Sequence, residues 1–106
     1  MKLEFDIYKV EDMGEYLRSI IKGNEFIIVG EYVVDNEEYF MCHTITDGIK
    51  LIDGVNIQDF SYRLPKNYFK KTVKSVTLDI PKKYLTLDIV EDIQRLNIGG
   101  IKHGAK

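Results

Sequence analysis

The sequence predicts an α+β fold: an antiparallel β-sheet of about five or six strands covered on one face by two helices. The element order is β-α-β-β-β-β-β-α. Three observations point there. Lys2–Tyr8 alternates, and Phe26–Thr46 is rich in β-branched and aromatic residues, as strands are. Glu11–Lys22 and Leu87–Leu96 repeat apolar residues at helical spacing instead. Asp-Asn and Asp-Gly pairs punctuate the middle at short intervals, which suits a meander of antiparallel neighbours.

In chain order, Leu3, Phe5 and Ile7 point one way and Lys2, Glu4, Asp6 and Tyr8 the other, giving a strand with one buried face. Met13, Tyr16, Leu17, Ile20 and Ile21 form the stripe of the first helix. Glu11 and Asp12 suit its N-terminal dipole, and Gly23 suits its end. Phe26–Val34 and Tyr39–Thr46 form a hairpin joined at Asp35-Asn36-Glu37, placed in the middle of the sheet, and Gly30 marks a bulge. Tyr39, Met41, His43 and Ile45 share one face of the second arm; Phe40, Cys42, Thr44 and Thr46 share the other. Asp47-Gly48 and Asp53-Gly54 then predict two further turns, with short strands at Ile49–Ile52 and Val55–Phe60.

Regular structure is expected to stop at Ser61–Lys71, since Leu64-Pro65 breaks the pattern. Thr72–Ile80 is the last strand, with Val76, Leu78 and Ile80 on one face, and Pro81 ends it. Leu87, Val90, Ile93 and Leu96 make the second helical stripe, with Ile89 flanking and Thr86 as N-cap. The expected core is Phe5, Ile7, Met13, Leu17, Ile20, Ile28, Val33, Phe40, Ile45, Val76, Leu78, Val90 and Ile93.

The 106 residues read as one α+β domain, 1–106, with a frayed tail at 101–106. The acidic, alternating N-terminus lacks the form of a signal peptide, and no apolar run is long enough to span a membrane. A cytoplasmic protein with no membrane partner is therefore expected. The single cysteine excludes an internal disulfide framework. Low Ala and Gln with abundant Ile, Lys and Asn suggests an AT-rich coding genome, such as a low-GC bacterium or its phage.

Charge is unevenly placed. Met1–Tyr62 carries 13 acids against 5 bases, a net of −8; Arg63–Lys106 carries 10 bases against 4 acids, a net of +6. Arg63, Lys66, Lys70, Lys71, Lys74, Lys82 and Lys83 fall within 21 residues, interleaved with Tyr62, Tyr68, Phe69 and Tyr84. Cations for phosphates beside aromatic faces for bases suit single-stranded DNA or RNA. The same pattern also arises when lysines cover a solvated face, or when the basic half pairs with the acidic half of the same molecule or of a second copy. Val76–Leu85 resembles the strand and helix start of ribbon–helix–helix repressors. That resemblance implies Lys74, Thr77 and Asp79 as outward positions on a DNA-reading strand.

No spacing in the sequence marks a catalytic set, a metal site or a cofactor motif. Cys42 and His43 are adjacent on a strand, so they point to opposite faces, one buried and one exposed, and cannot act as a nucleophile–base pair. The expectation is a small non-catalytic module that binds another protein, such as a phage- or mobile-element-encoded inhibitor or adaptor. A homodimer is compatible with it. The alternatives are a nucleic-acid binder using residues 62–84, through Arg63, Lys66, Tyr68, Lys70, Lys71, Lys74, Lys82 and Lys83, and a small enzyme with scattered site residues.

Overall fold

The computed structural model describes residues 1–10 and 24–97. The expected first helix, Glu11–Lys22, with Met13, Leu17 and Ile20, lies outside these residues, as does the tail. Within them the fold is α+β. The strands are β1 (Lys2–Val10), β2 (Glu25–Val34), β3 (Glu37–Thr44), β4 (Tyr62–Pro65) and β5 (Phe69–Asp79), followed by the helix α1 (Leu87–Leu96). The strands form one antiparallel sheet in the order β4-β3-β2-β1-β5, so the β2–β3 hairpin sits at its middle. No helix among the described residues is long and apolar enough to cross a membrane.

The turn chemistry explains which hairpin formed. Asp35 and Asn36 both take positive φ, 50° and 67°, the two left-handed positions that a two-residue hairpin turn of matching twist requires. At Asp47-Gly48 and Asp53-Gly54 only the glycine does so, at 89° and 81°. Those turns redirect the chain without closing a hairpin, and the expected strands at Ile49–Ile52 and Val55–Phe60 are absent. Their apolar residues instead lie over one face of the sheet: Ile45, Ile49, Leu51 and Ile57 join the cluster there, and the Ile57 N–H donates to Tyr84 O at 2.9 Å.

The strand beside β3 is β4, inside the stretch that had read as irregular. Pro65 ends β4 at the sheet edge, where a missing N–H is tolerated. The extended conformation that it imposes on Leu64 is also what a strand needs. A 3-10 turn at Lys66–Tyr68 then leads into β5, which starts three residues before the expected Thr72. β5 pairs with β1 over most of its length, from Phe69 to Asp79, and so belongs to this sheet rather than to a separate DNA-reading ribbon.

The short link between the two edge strands shapes the sheet. Pro65 and Phe69 are four residues apart, a reach of at most about 14 Å. Five strands laid flat would set β4 and β5 about 19 Å apart. The sheet therefore curls, and the ring contacts show it: Phe69 of β5 lies 5.4 Å from Phe40 of β3 and 5.8 Å from Phe26 of β2. Val10, Phe26, Ile28, Cys42 and Leu64 fill this concave side with Tyr8, Phe40, Tyr68 and Phe69 around them. The opposite face holds Leu3, Phe5, Ile7, Ile27 and Val29 under Ile89, Val90 and Ile93 of α1, together with Ile57, Ile80 and Tyr84.

Thr86 caps α1 as expected, its hydroxyl accepting from the Ile89 N–H. The helix buries Ile89, Val90 and Ile93 and leaves Leu87 80% exposed, so the buried stripe is rotated from the expected one. Val33 is also corrected: it is 63% exposed, near the turn of the β2–β3 hairpin. Phe40, Ile45, Val76 and Leu78 are half-buried at the cluster edges.

Two irregularities interrupt the ladders. The β2–β3 register shifts between Ile28 and Gly30, where the glycine was expected to bulge. A Cβ at Gly30 would lie 2.7 Å from Gln58 Nε2, which donates to Val29 O, so a side chain there would have to displace the Gln58 amide. The β1–β5 register shifts between Asp6 and Tyr8. Thr72 there donates its hydroxyl to Ile7 O, and Val73 is thrown fully outward. Asp6, expected on a solvated face, is buried.

Candidate interaction surface

The basic stretch does not form one open platform. Arg63 lies on β4, Lys66 and Tyr68 in the 3-10 turn after it, Lys70, Lys71 and Lys74 on β5, and Lys82 and Lys83 in a second 3-10 turn before α1. Several of the cations are already matched to acids of the N-terminal half. Lys66 Nζ lies 2.6 Å from Glu31 Oε2 and 3.6 Å from Glu38 Oε2. Lys71 lies 3.5 Å from the buried Asp6, Lys74 3.3 Å from Glu25 and Lys83 2.7 Å from Asp53. The acidic and basic halves thus meet within the molecule. Of the interleaved aromatics, Tyr68 and Phe69 flank the concave cluster, Tyr84 is buried against the other face, and only Tyr62 is exposed.

Glu31 is the node of this pairing. It accepts from Lys66 and, at 2.8 Å, from Arg95 of α1, which links the turn after β4, the middle strand and the helix. The hydrogen bonds from Lys66 and Arg95 hold its carboxyl below the usual range, against an opposing contribution from burial.

The turn end of the β2–β3 hairpin carries a different arrangement, which the charge pattern did not reveal. The two-residue turn fixes Tyr32 opposite Tyr39. Their rings stack with centroids 5.1 Å apart at 25°. The Arg63 guanidinium carbon sits 5.2 Å from the centre of the Tyr32 ring, in the geometry of a cation–π contact. The Tyr39 hydroxyl donates to Glu37 Oε2 at 3.0 Å, which raises its pKa, since losing the proton would set two anions together. Val33 and Val34 are exposed beside the turn. A signal for this site was present: a turn at Asp35-Asn36 pairs 34 with 37 and therefore 32 with 39.

Cys42 and His43 occupy opposite faces as expected, but neither is exposed. Burial pushes the Cys42 thiol up to about 12, which removes it as a nucleophile near neutral pH. His43 Nε2 lies 2.7 Å from Ile57 O. A carbonyl only accepts, so Nε2 carries the proton, and burial lowers the ring's pKa and keeps it neutral. Among the described residues no three His, Cys, Asp or Glu side chains are grouped to hold a metal ion. Comparison with protein-family models, curated proteins and solved structures gave no match.

Proposed function

We propose that the chain is a small non-catalytic module that binds another protein through the turn end of the β2–β3 hairpin. The Arg63–Tyr32–Tyr39 stack carries this reading. Tyr and Arg are the residue types enriched where a few side chains dominate an interface. Here the sheet register and the ring contacts already hold them in place, so little ordering is left for binding to impose. The exposed Val33 and Val34 add apolar area, and Asp35, Glu37 and Glu38 supply a polar rim. The nucleic-acid reading ranks second, because phosphate contacts by Lys66, Lys71, Lys74 or Lys83 would compete with carboxylates already in place.

The test compares the wild-type chain with a Tyr32→Ala/Arg63→Ala variant in quantitative pull-downs, alongside titrations with single-stranded DNA and RNA at low and moderate salt. A protein partner retained by the wild type and depleted at least tenfold with the variant supports the reading. Equal capture by both, or nucleic-acid binding that falls steeply with salt and is lost in a Lys70→Glu/Lys71→Glu variant, overturns it.

A further inference from the structure

A cleft of about 260 Å³ lies between the last residues of β3 and the irregular segment that follows them. Its geometry follows from how β4 stops short. The β3–β4 ladder ends at Cys42 opposite Tyr62, and no strand continues opposite Thr44. The Ile45 N–H donates to Glu25 O at 2.8 Å, so Ile45 faces β2. Alternation then turns the backbone N–H and C=O of Thr44 the other way, toward the cleft. The side chains of Phe60 and Tyr62, each 45% exposed, flank this opening, and Lys50 and Asp47 stand at its rim. The Thr44 hydroxyl oxygen is itself buried without a hydrogen-bond partner, one of two such side-chain atoms among the described residues.

The opening offers one donor and one acceptor, pointing the same way, in a cleft that two aromatic side chains line. It does not suit an added strand. β3 ends at Thr44 and the chain turns at once, with the Gly48 N–H donating to Ile45 O, so only one rung is free. Strand addition gains its affinity from several. A single trans peptide group cannot fill this rung either, because its N–H and C=O point in opposite directions. A ring amide is cis and presents both on one edge.

We infer that this cleft binds one planar cyclic amide of the kind a pyrimidine base presents. The ring N–H donates to Thr44 O, the ring carbonyl accepts from the Thr44 N–H, and the ring face packs on Phe60 and Tyr62. Such a ring reaches the protein either as a free nucleoside or as a base within a strand.

The experiment follows the Thr44 amide resonance of the ¹⁵N-labelled protein during titration with uridine, with 3-methyluridine, whose imide N–H is blocked, and with a short oligouridylate. Uridine is expected to move the Thr44 signal downfield and saturably at millimolar concentration, and 3-methyluridine is not. Phe60→Ala is expected to weaken binding about tenfold or more, as loss of a base-stacking ring does. Tyr62→Leu serves as a second variant, with the amide spectrum of each reporting its fold. Tighter, salt-dependent binding of the oligouridylate assigns the ring to a strand, and affinity equal to uridine's assigns it to a nucleoside. No saturable shift at Thr44, or equal binding of 3-methyluridine, overturns the inference.

Discussion

Asp6 and Asn97 are joined across the sheet: the Asp6 backbone N–H donates to Asn97 Oδ1 at 2.9 Å. The β1–β2 register pairs Tyr8 with Phe26, and two residues further along each strand it would pair Asp6 with Ile28. The strands part there instead, and the Asn97 side chain fills the missing rung. Its Nδ2 donates to Ile28 O at 3.1 Å and to Ile93 O at 2.7 Å. A side-chain amide, isosteric with a peptide group, thus fastens the end of α1 between two strands. Asn97→Ala leaves the Asp6 N–H and Ile28 O without these partners in a buried site. At about 1–3 kcal/mol for each unsatisfied group, a loss of about 3 kcal/mol is expected in urea unfolding. A loss below about 1 kcal/mol would show that the strands re-pair directly.

The rotation of α1 is tested by two truncations. Ile93 is fully buried, and Ile93→Ala should cost about 2–5 kcal/mol. Leu87, four-fifths exposed, should lose less than about 0.5 kcal/mol on the same change. Equal losses in thermal or urea unfolding would contradict the packing described.

His43 gives the fold a dependence on mild acid. Its folded-state pKa lies below the ordinary 6.5, so below that pH the unfolded chain takes up a proton that the folded chain does not. Stability is unaffected by this group above pH 6.5. It declines as the pH falls from 6.5 toward the depressed folded value. Melting temperature should therefore drop between pH 7 and 5, and His43→Gln, whose amide can still donate toward Ile57 O, should flatten that part of the profile. An unchanged slope in the variant would remove His43 as its source.

Glu31 acts further into acid. Its folded pKa is depressed, so its contribution is present above the ordinary 4.5 and is lost as the pH falls through the folded value. Glu31→Gln should cost about 1 kcal/mol at neutral pH, and the gap between variant and parent should close at low pH. A gap of constant size across the acid range would point to packing rather than charge.

Much of the sheet was legible because local chemistry decides it. Asp35-Asn36 sets the central turn, alternation sets the faces of β1 and β5, and Thr86 starts α1 where its side chain can cap it. Asp47-Gly48 and Asp53-Gly54 look like hairpin turns in sequence, but β4 occupies the place beside β3 that their strands would need. Proline at position 65 looks like a breaker until the strand that it ends proves to be an edge. Asn97 gives no local sign of its role, because its partners lie 69 and 91 residues away. The charge asymmetry was visible, whereas its cancellation depended on strand order. The Tyr32–Tyr39 pair follows from the turn alone, and the Thr44 cleft depends on where β4 stops.

The placement of β1 governs the timing of folding. During synthesis the β2–β3 hairpin has everything it needs once Thr44 has left the ribosome. β1, translated earlier, must wait for β5 on its other side and for Asn97 at its parting from β2. Contacts that span so much of the chain close slowly. A nascent chain therefore carries its first strand with one edge unpaired until nearly the whole described sequence is made, and an unpaired edge is where chains associate wrongly in that interval.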